Sequence, residues 1–208
     1  MTSSDASTEI RVAVLGEWVP SQLADVLALQ RAEEPETTAA LVECTASAPA
    51  DDPSSPEFDL AVTTTHLHWP GWISEPLWHG TLAVAVAKRS HLLAFREIPC
   101  DELRKQPIIR AHSTADEPWH TEASRLLQAT PGEHDQMVAT FDLAMMLVAA
   151  GYGVAIAPAA RLAGYQARGI AVRPMAGAVP IVMAFLLHRC SSLTDTQERF
   201  VERARSVA

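Results

Sequence analysis

The chain has 208 residues, 48% of them apolar, so it is long enough to bury a core as one domain or two small lobes. Its formal net charge is −9 at pH 7, whereas a chain that grips a phosphate backbone usually carries a basic stripe, so direct nucleic-acid binding by this chain is not expected. The three cysteines, Cys44, Cys100 and Cys190, are far apart without a CxxC pair, which indicates free thiols in a reducing compartment.

The N-terminal segment, residues 1–9, is polar and acidic, and we expect it to be a disordered lead-in. It lacks a basic stretch followed by an apolar one, so it is not a secretory signal. Elsewhere no window reaches the roughly 18 uninterrupted apolar residues that a membrane span needs. These observations predict a cytoplasmic protein.

In the first third of the chain, short apolar runs rich in β-branched residues predict three strands, at 10–15, 39–44 and 58–62. Apolar residues at helical spacing predict a helix over 20–33, which Glu34-Pro35 stops. Residues 45–57 are rich in proline, aspartate and serine, and predict a loop. The order of strand, helix, strand, crossover and strand is typical of a parallel sheet with helices packed on it.

Strands and helices continue to alternate in the rest of the chain. Strands are predicted at 81–87, 107–111, 136–139, 154–157, 170–173 and 180–187, and helices at 102–105, 117–129, 141–150, from Pro158 and from Thr194. Asp101 is expected to cap the first of these helices and Thr140 the third, which Gly151 closes. Thr194 and Gln197 form the capping box of the last helix.

This order predicts an α/β fold of two successive units. The first lobe comprises residues 10–80 and 179–208, because the last strand and helix return to it, and the second comprises 81–178. Two α/β lobes joined by two crossing strands would leave a cleft between them, where a small ligand could bind.

Four stretches, in the right order and spacing, resemble the effector-binding (substrate-binding) domain of LysR-type transcriptional regulators. They read IRVAVLGEWVPSQLADVLALQRAEEPETTAALVE, EFDLAV, GWISEPLWHGTLAVAVAKRSHLLA and MMLVAAGYGVAIAP. The last is the most specific, because it is similar to the family's run L-V-x-x-G-x-G-x-x-x-x-P. The resemblance implies two Rossmann-like lobes joined by two crossover strands, a type 2 periplasmic-binding-protein-like fold. It also implies that the chain binds a small-molecule effector in the interlobe cleft and so modulates transcription.

The sequence departs from the family in three places. The family's His-Pro-Leu turn is His91-Leu92-Leu93 here, and the loop 45–57 replaces an amphipathic helix, which leaves that side of the first lobe less covered. The winged helix-turn-helix that precedes this domain in such regulators does not precede the first strand here. We therefore expect contact with DNA only through a winged-helix domain absent from this chain, which is either a piece of a longer regulator or a natural stand-alone domain.

Ligands of open parallel sheets bind outside the carboxyl ends of strands, at helix N-termini. The residues at such places are the candidate effector-binding residues: Gly16, Glu17, Trp18, Thr63, Thr64, Thr65, His66, Arg110, His112, Thr140 and Phe141. Among them, the two aromatic rings could stack on a ligand, and Arg110 or His112 could meet a carboxylate. The expected effector is therefore a small organic acid or an aromatic metabolite, although Glu17 suits an amine or hydroxyl. The alternative is that the threonines merely end a strand or cap a helix, and that Glu17 is a solvated cap.

No catalytic residue, cofactor or metal is predicted. The sequence lacks GxSxG, Walker, GxGxxG and HExxH motifs, and His66-x-His68 has no third metal ligand in register. Trp69, Trp72 and Trp78 are expected to pack rather than to bind a ligand. The alternative function is a stand-alone two-lobed ligand-binding protein, or an enzyme that would have to use Glu17, His66 and His112.

A homodimer or higher oligomer is the expected assembly. The resemblance implies that the first helix of one subunit lies antiparallel to the second-lobe helix 141–150 of its mate. Leu29 and Ala32 would then be interface residues. The alternative for Met145, Met146 and Leu147 is an ordinary place in the core.

Overall fold

The computed structural model describes residues 8–16, 18–44, 58–112, 117–127, 135–177, 179–191 and 193–207. Most of the predicted lead-in and the whole predicted loop 45–57 lie outside these ranges. The chain divides into two compact units, of which unit 1 comprises Met1–Trp78 with Met183–Ala208 and unit 2 comprises His79–Val182. The divisions fall inside two strands, β4 (Trp72–Ala87) and β9 (Ile181–Arg189).

Unit 1 is built on a sheet in the order β2-β1-β3-β9. Its further elements are β1 (Thr8–Leu15), α1 (Gln22–Glu33), β2 (Thr37–Cys44), β3 (Leu60–Thr63) and α6 (Asp195–Ser206). β1 pairs in parallel with both β2 and β3, as predicted, and β9 runs antiparallel to β3. The third strand begins two residues later than predicted, because the Asp59 carboxylate accepts a hydrogen bond from the Arg11 amide at 2.8 Å.

Buried side chains lie on both faces of this sheet. On one face, helices α1 and α6 pack against alternate residues of the strands, and the buried side chains include Val12, Leu23, Leu60 and Phe200. Helix α6 begins with the predicted capping box of Thr194 and Gln197. On the other face the buried side chains are Ala13, Leu15, Phe58, Ala61 and Leu187, with Trp69 and Trp72 packed against them.

Strand β4 begins nine residues before the predicted strand 81–87. The apolar pattern in its first half is interrupted by polar residues and by Pro76. Pro76 is exposed and has no backbone N–H to donate in strand pairing. The three tryptophans pack as predicted. Trp78 is buried, its indole N–H donates to the Val207 carbonyl at 2.6 Å, and the rings of Trp69 and Trp72 meet edge to face at 6.0 Å.

Unit 2 contains β5 (Ile109–Ala111), β6 (Gln136–Val138), β7 (Ala155–Pro158) and β8 (Ile170–Pro174). β4 runs antiparallel to β7 and to β8, and β5 pairs in parallel with β6 in a separate two-stranded sheet. An isolated parallel bridge joins Ile108, just before β5, to Val154, just before β7. The helices are α2 (Cys100–Leu103), α3 (Pro118–Leu127), α4 (Phe141–Ala150) and α5 (Ala159–Ala163), with 3-10 helices at His91–Ala94 and Gln166–Arg168. No helix in the described part of the chain is long and apolar enough to cross a membrane.

The prediction that Asp101 caps a helix at 102–105 is wrong. Helix α2 begins at Cys100, and Pro99 occupies the N-cap position in an extended conformation. Asp101 lies within the first turn, where its carboxylate pairs with Arg104 at 2.5 Å. An acidic residue stabilises the first turn of a helix as well as its cap, so its presence alone does not fix where the helix begins.

Helix α4 has the predicted ends. Thr140 accepts a hydrogen bond from the Leu143 amide at 3.3 Å, and Gly151 follows the last turn in the left-handed conformation with φ of 88°. Met145 lies in the core, whereas Met146 is 66% exposed, so the two neighbouring methionines have different environments.

Candidate functional site

In unit 1 the carboxyl ends of β1 and β3 lie side by side. The strands are parallel and Leu15 lies opposite Thr63, so Gly16 and Thr64 follow at the same edge of the sheet. Gly16 leaves β1 with φ of 112°, a conformation that favours glycine, and Trp18 follows half-buried. The structure thus brings the predicted residues after β1 and those after β3 to the same edge of the sheet. Glu17 lies outside the described residues.

The four predicted residues at the end of β3, Thr63 to His66, differ in what they can offer a ligand. Thr63 and Thr64 are buried, and the Thr63 hydroxyl accepts a hydrogen bond from the Thr65 amide at 3.1 Å. This bond makes Thr63 part of the turn itself, as the alternative interpretation has it. Thr65 is half-buried and His66 is exposed, with the edge of its ring on Phe185 at 5.2 Å between centroids. Thr65 and His66 therefore have the most direct access to solvent.

His66 and His68 have ring centroids 6.4 Å apart. Within the described ranges, no group of three or more histidine, cysteine, aspartate or glutamate side chains is close enough to hold a metal ion.

In unit 2 the carboxyl ends of β5 and β6 also lie side by side. Ala111 is opposite Val138, so His112 and the start of helix α4 follow at one edge. His112 and Thr140 are exposed, and the Thr140 hydroxyl is already engaged as the helix cap. His112 and Thr140, both predicted site residues, therefore lie at the same edge of unit 2.

Arg110 has a carboxylate partner inside unit 2. Its guanidinium lies 3.4 Å from Asp135, and the two side chains are only 12% and 14% exposed. The other carboxylate oxygen of Asp135 accepts a hydrogen bond from the Ile108 amide at 2.9 Å. A carboxylate ligand that approached Arg110 would therefore compete with Asp135 for the same positive charge.

Phe141 is buried and its ring is already in contact on more than one side. The ring of Tyr165 meets it edge to face at 5.5 Å, and the guanidinium carbon of Arg161 lies 3.8 Å from its centroid. Burial raises the pKa of Tyr165, and a hydrogen bond to Asp142 raises it further. The aromatic face of Phe141 is thus used by the fold rather than presented to solvent.

A small cavity in unit 2 involves residues that the sequence analysis missed. Arg110 and Phe141 line it, together with Trp119 and His120 from the first turn of α3. Burial lowers the pKa of His120, and the positive charge of Arg110 lowers it further. The signal in the sequence was a tryptophan and a histidine at the start of a helix that follows a strand, the position already used to select the other candidates.

Comparisons with known proteins give one family and one fold. A model of the LysR substrate binding domain matches residues 3–208, while no curated protein sequence matches the chain. A full-length BenM mutant superposes with a TM-score of 0.83 at 19% identity, covering 99% of this chain and 69% of that one. The BenM effector binding domain with its effector benzoate gives 0.82 at 19% identity, with 96% and 91% covered. Full-length CbnR complexed with the target DNA gives 0.79 at 18% identity, with 97% and 70% covered.

Proposed function

Because the chain belongs to the LysR substrate-binding domain family, we propose that it senses a small organic acid or aromatic metabolite and transmits this binding to a transcription complex. The predicted family is confirmed, and so are the type 2 periplasmic-binding-protein-like fold and the function of a small-molecule effector-binding domain. The proposed ligand-binding positions depend on one observation. In each unit two parallel strands end side by side, and the predicted residues lie at those ends.

Each unit has its own set of proposed ligand contacts. In unit 1 they are Gly16, Trp18, Thr65 and His66, and in unit 2 they are His112 and the start of α4 at Thr140. We propose that four residues, mostly buried, support these strand ends from the protein interior without contacting the ligand directly: Thr63, Thr64, Arg110 and Phe141. A ligand acts as a signal only when it binds one arrangement of a protein more tightly than another.

We infer that the chain works in the cytoplasm and without catalysis. The support is its membership of a family of transcription regulators and the lack of a catalytic motif in the sequence. We also propose that it reaches DNA only through a winged-helix domain, because a net charge of −9 opposes direct contact with phosphates. A stand-alone ligand-binding role remains the second candidate, and it would need the same ligand site.

The effector proposal predicts a gain in thermal stability. In a panel of small organic acids and aromatic metabolites that includes benzoate, at least one compound at about 100 times its Kd should add about 2.7 kcal/mol, which raises Tm by roughly 5–10 °C. Thr65→Val should reduce this shift, because it removes a hydroxyl at the proposed site. Thr121→Val, on the exposed side of α3, is the matched control and should leave it unchanged. A panel without a single stabilising compound would contradict the proposal.

The assembly proposal concerns the exposed face of helix α4. Met146 is 66% exposed and Leu143 is 41% exposed there, while Leu29 is half-buried and Ala32 is exposed on α1. If these faces join two copies of the chain, Met146→Glu should convert a dimer into a monomer in light scattering, because it buries an unpaired charge. Met137→Glu, at a position 47% exposed on β6, is the control that should remain dimeric. A monomeric parent chain at high concentration would disprove the proposal.

A further inference from the structure

Two residues that line the cavity between α3 and the strands of unit 2 each have a buried polar atom without a hydrogen-bond partner in the described part of the chain. Trp119 is 3% exposed, and within the described residues neither its indole Nε1 nor Nε2 of His120 has a hydrogen-bond partner. The two rings are neighbours, with centroids 5.9 Å apart. Buried polar groups without partners are rare in native proteins, because the lost hydration is not replaced. An occupant of the cavity that accepts hydrogen bonds would replace this lost hydration.

Trp78 shows that the chain can satisfy an equally buried indole. It too is 3% exposed, but its Nε1 donates a hydrogen bond to the Val207 carbonyl at 2.6 Å. The two tryptophans therefore differ in hydrogen bonding rather than in burial. This difference makes Trp78 an internal reference for Trp119.

The polar part of the cavity wall favours a hydrogen-bond acceptor. An indole nitrogen can only donate, and His120 can donate from Nε2 in the corresponding tautomer. The guanidinium of Arg110 adds positive charge, which a carboxylate in the cavity would share with Asp135, 3.4 Å away and farther than in a strong charged hydrogen bond. The remainder of the wall is mainly apolar and includes Ile108, Ala123, Leu127, Ala144 and Ile156.

The size of the cavity limits what can enter it. The volume open to a water-sized group is about 20 Å³, which is room for about one such group and too little for a whole metabolite. We propose that this cavity is a subsite for one carboxylate oxygen of a small organic acid, held by the N–H groups of Trp119 and His120 beside the charge of Arg110. The inference rests on the proposed function, because it names the part of the effector that unit 2 recognises. A buried water offers the same acceptor chemistry, so the test separates the two sources.

The test follows the indole N–H signals of the full chain by ¹H–¹⁵N NMR. The probes are sodium formate and sodium acetate, with sodium chloride at equal ionic strength as the reference. The Trp119 signal should move downfield and saturate with either acid, while the Trp78 signal stays in place because its N–H is already bonded. The Trp119 signal is identified by its loss in Trp119→Phe, or by its contacts with the His120 ring if that variant does not fold.

The affinity of the chain for formate provides a second readout. Trp119→Phe should weaken it about tenfold, because it removes one hydrogen bond to a charged group and keeps an aromatic ring in place. Trp78→Phe, which removes an indole in unit 1, should not change it. A Trp119 signal that stays in place with both acids, and shows contacts to water alone, would overturn the proposal. This outcome differs from failure of the effector proposal, which the metabolite panel decides, since either test can succeed without the other.

Discussion

Replacing Gly153 with alanine is expected to lower the free energy of unfolding by about 3 kcal/mol or more, a large effect for a single added methyl group. A Cβ atom at this position would lie 2.3 Å from the carbonyl oxygen of Pro107 and 3.2 Å from Cγ1 of Ile109. That oxygen accepts the hydrogen bond from the Val154 amide at 3.0 Å, beside the isolated parallel bridge between Ile108 and Val154. The backbone of unit 2 would have to separate there to accommodate the methyl group.

Gly80→Ala provides the matched control. A Cβ atom at Gly80 meets nothing within 4 Å, and neither Gly80 nor Gly153 has a positive φ, so the two substitutions differ in space and not in backbone strain. Urea unfolding should show a much lower midpoint for Gly153→Ala and a nearly unchanged one for Gly80→Ala. Equal midpoints for the two variants would mean that the backbone contact at Pro107 contributes nothing to stability.

The two glycines in the run MMLVAAGYGVAIAP thus have different physical roles. Gly151 ends helix α4 with φ of 88°, and this role was predicted from its place after an apolar helix. Gly153 allows a close backbone approach to Pro107, a residue that is distant in sequence. A local pattern contains the first kind of information, because a helix end depends on neighbouring residues. It does not contain the second, because the contact exists only after the sheet has formed.

A strand or helix could be predicted from the sequence where neighbouring residues alone favour it. Short-range features predicted five of the observed elements. They are the apolar runs of β1, β3 and β9, and the N-caps Thr140 of α4 and Thr194 of α6. The first half of β4 was missed, since its polar residues and Pro76 oppose a strand locally. Pairing and packing of Trp72 and Trp78 outweigh that local preference.

The candidate site was predictable in position but not in detail. The rule that ligands bind at the carboxyl ends of parallel strands selected residues that the fold places side by side. The sequence does not reveal which of their polar groups already have partners, because Arg110 pairs with Asp135 across two strands and Phe141 packs on Tyr165. For the same reason, the unsatisfied atoms of Trp119 and His120 became visible only in the structure.

The second large effect is expected at Arg203, which joins helices α1 and α6 in unit 1. Arg203 is 8% exposed, and its guanidinium donates to Glu33 at 2.6 Å, to Gln30 at 2.6 Å and to Glu34 at 2.7 Å. Glu34, 6% exposed, also accepts a close hydrogen bond from Arg199. Arg203→Met should cost about 3 kcal/mol, because it keeps much of the packing but leaves the buried carboxylate with one cation fewer.

Arg205→Met is the matched control on the same helix. Arg205 forms a two-pronged pair with Glu75 at 2.8 and 2.9 Å, but its side chain is 52% exposed. Solvent screens such a pair, so we expect a cost below about 1 kcal/mol. Similar urea midpoints for Arg203→Met and Arg205→Met would show that burial adds nothing to the Arg203 cluster.

The pH dependence of the same cluster supplies an independent check on its electrostatic origin. The Arg199 guanidinium, helped by Arg203 and Gln30 and opposed by burial, lowers the pKa of Glu34 from 4.5 to about 2. A carboxyl whose folded pKa is depressed stabilises the protein above its unfolded pKa, and this contribution is lost as the pH falls toward the folded pKa. The difference in unfolding free energy between the parent chain and Arg203→Met should therefore shrink as the pH falls from about 5 to about 2. A difference that stays constant over this range would assign the effect of Arg203 to packing, because packing does not titrate.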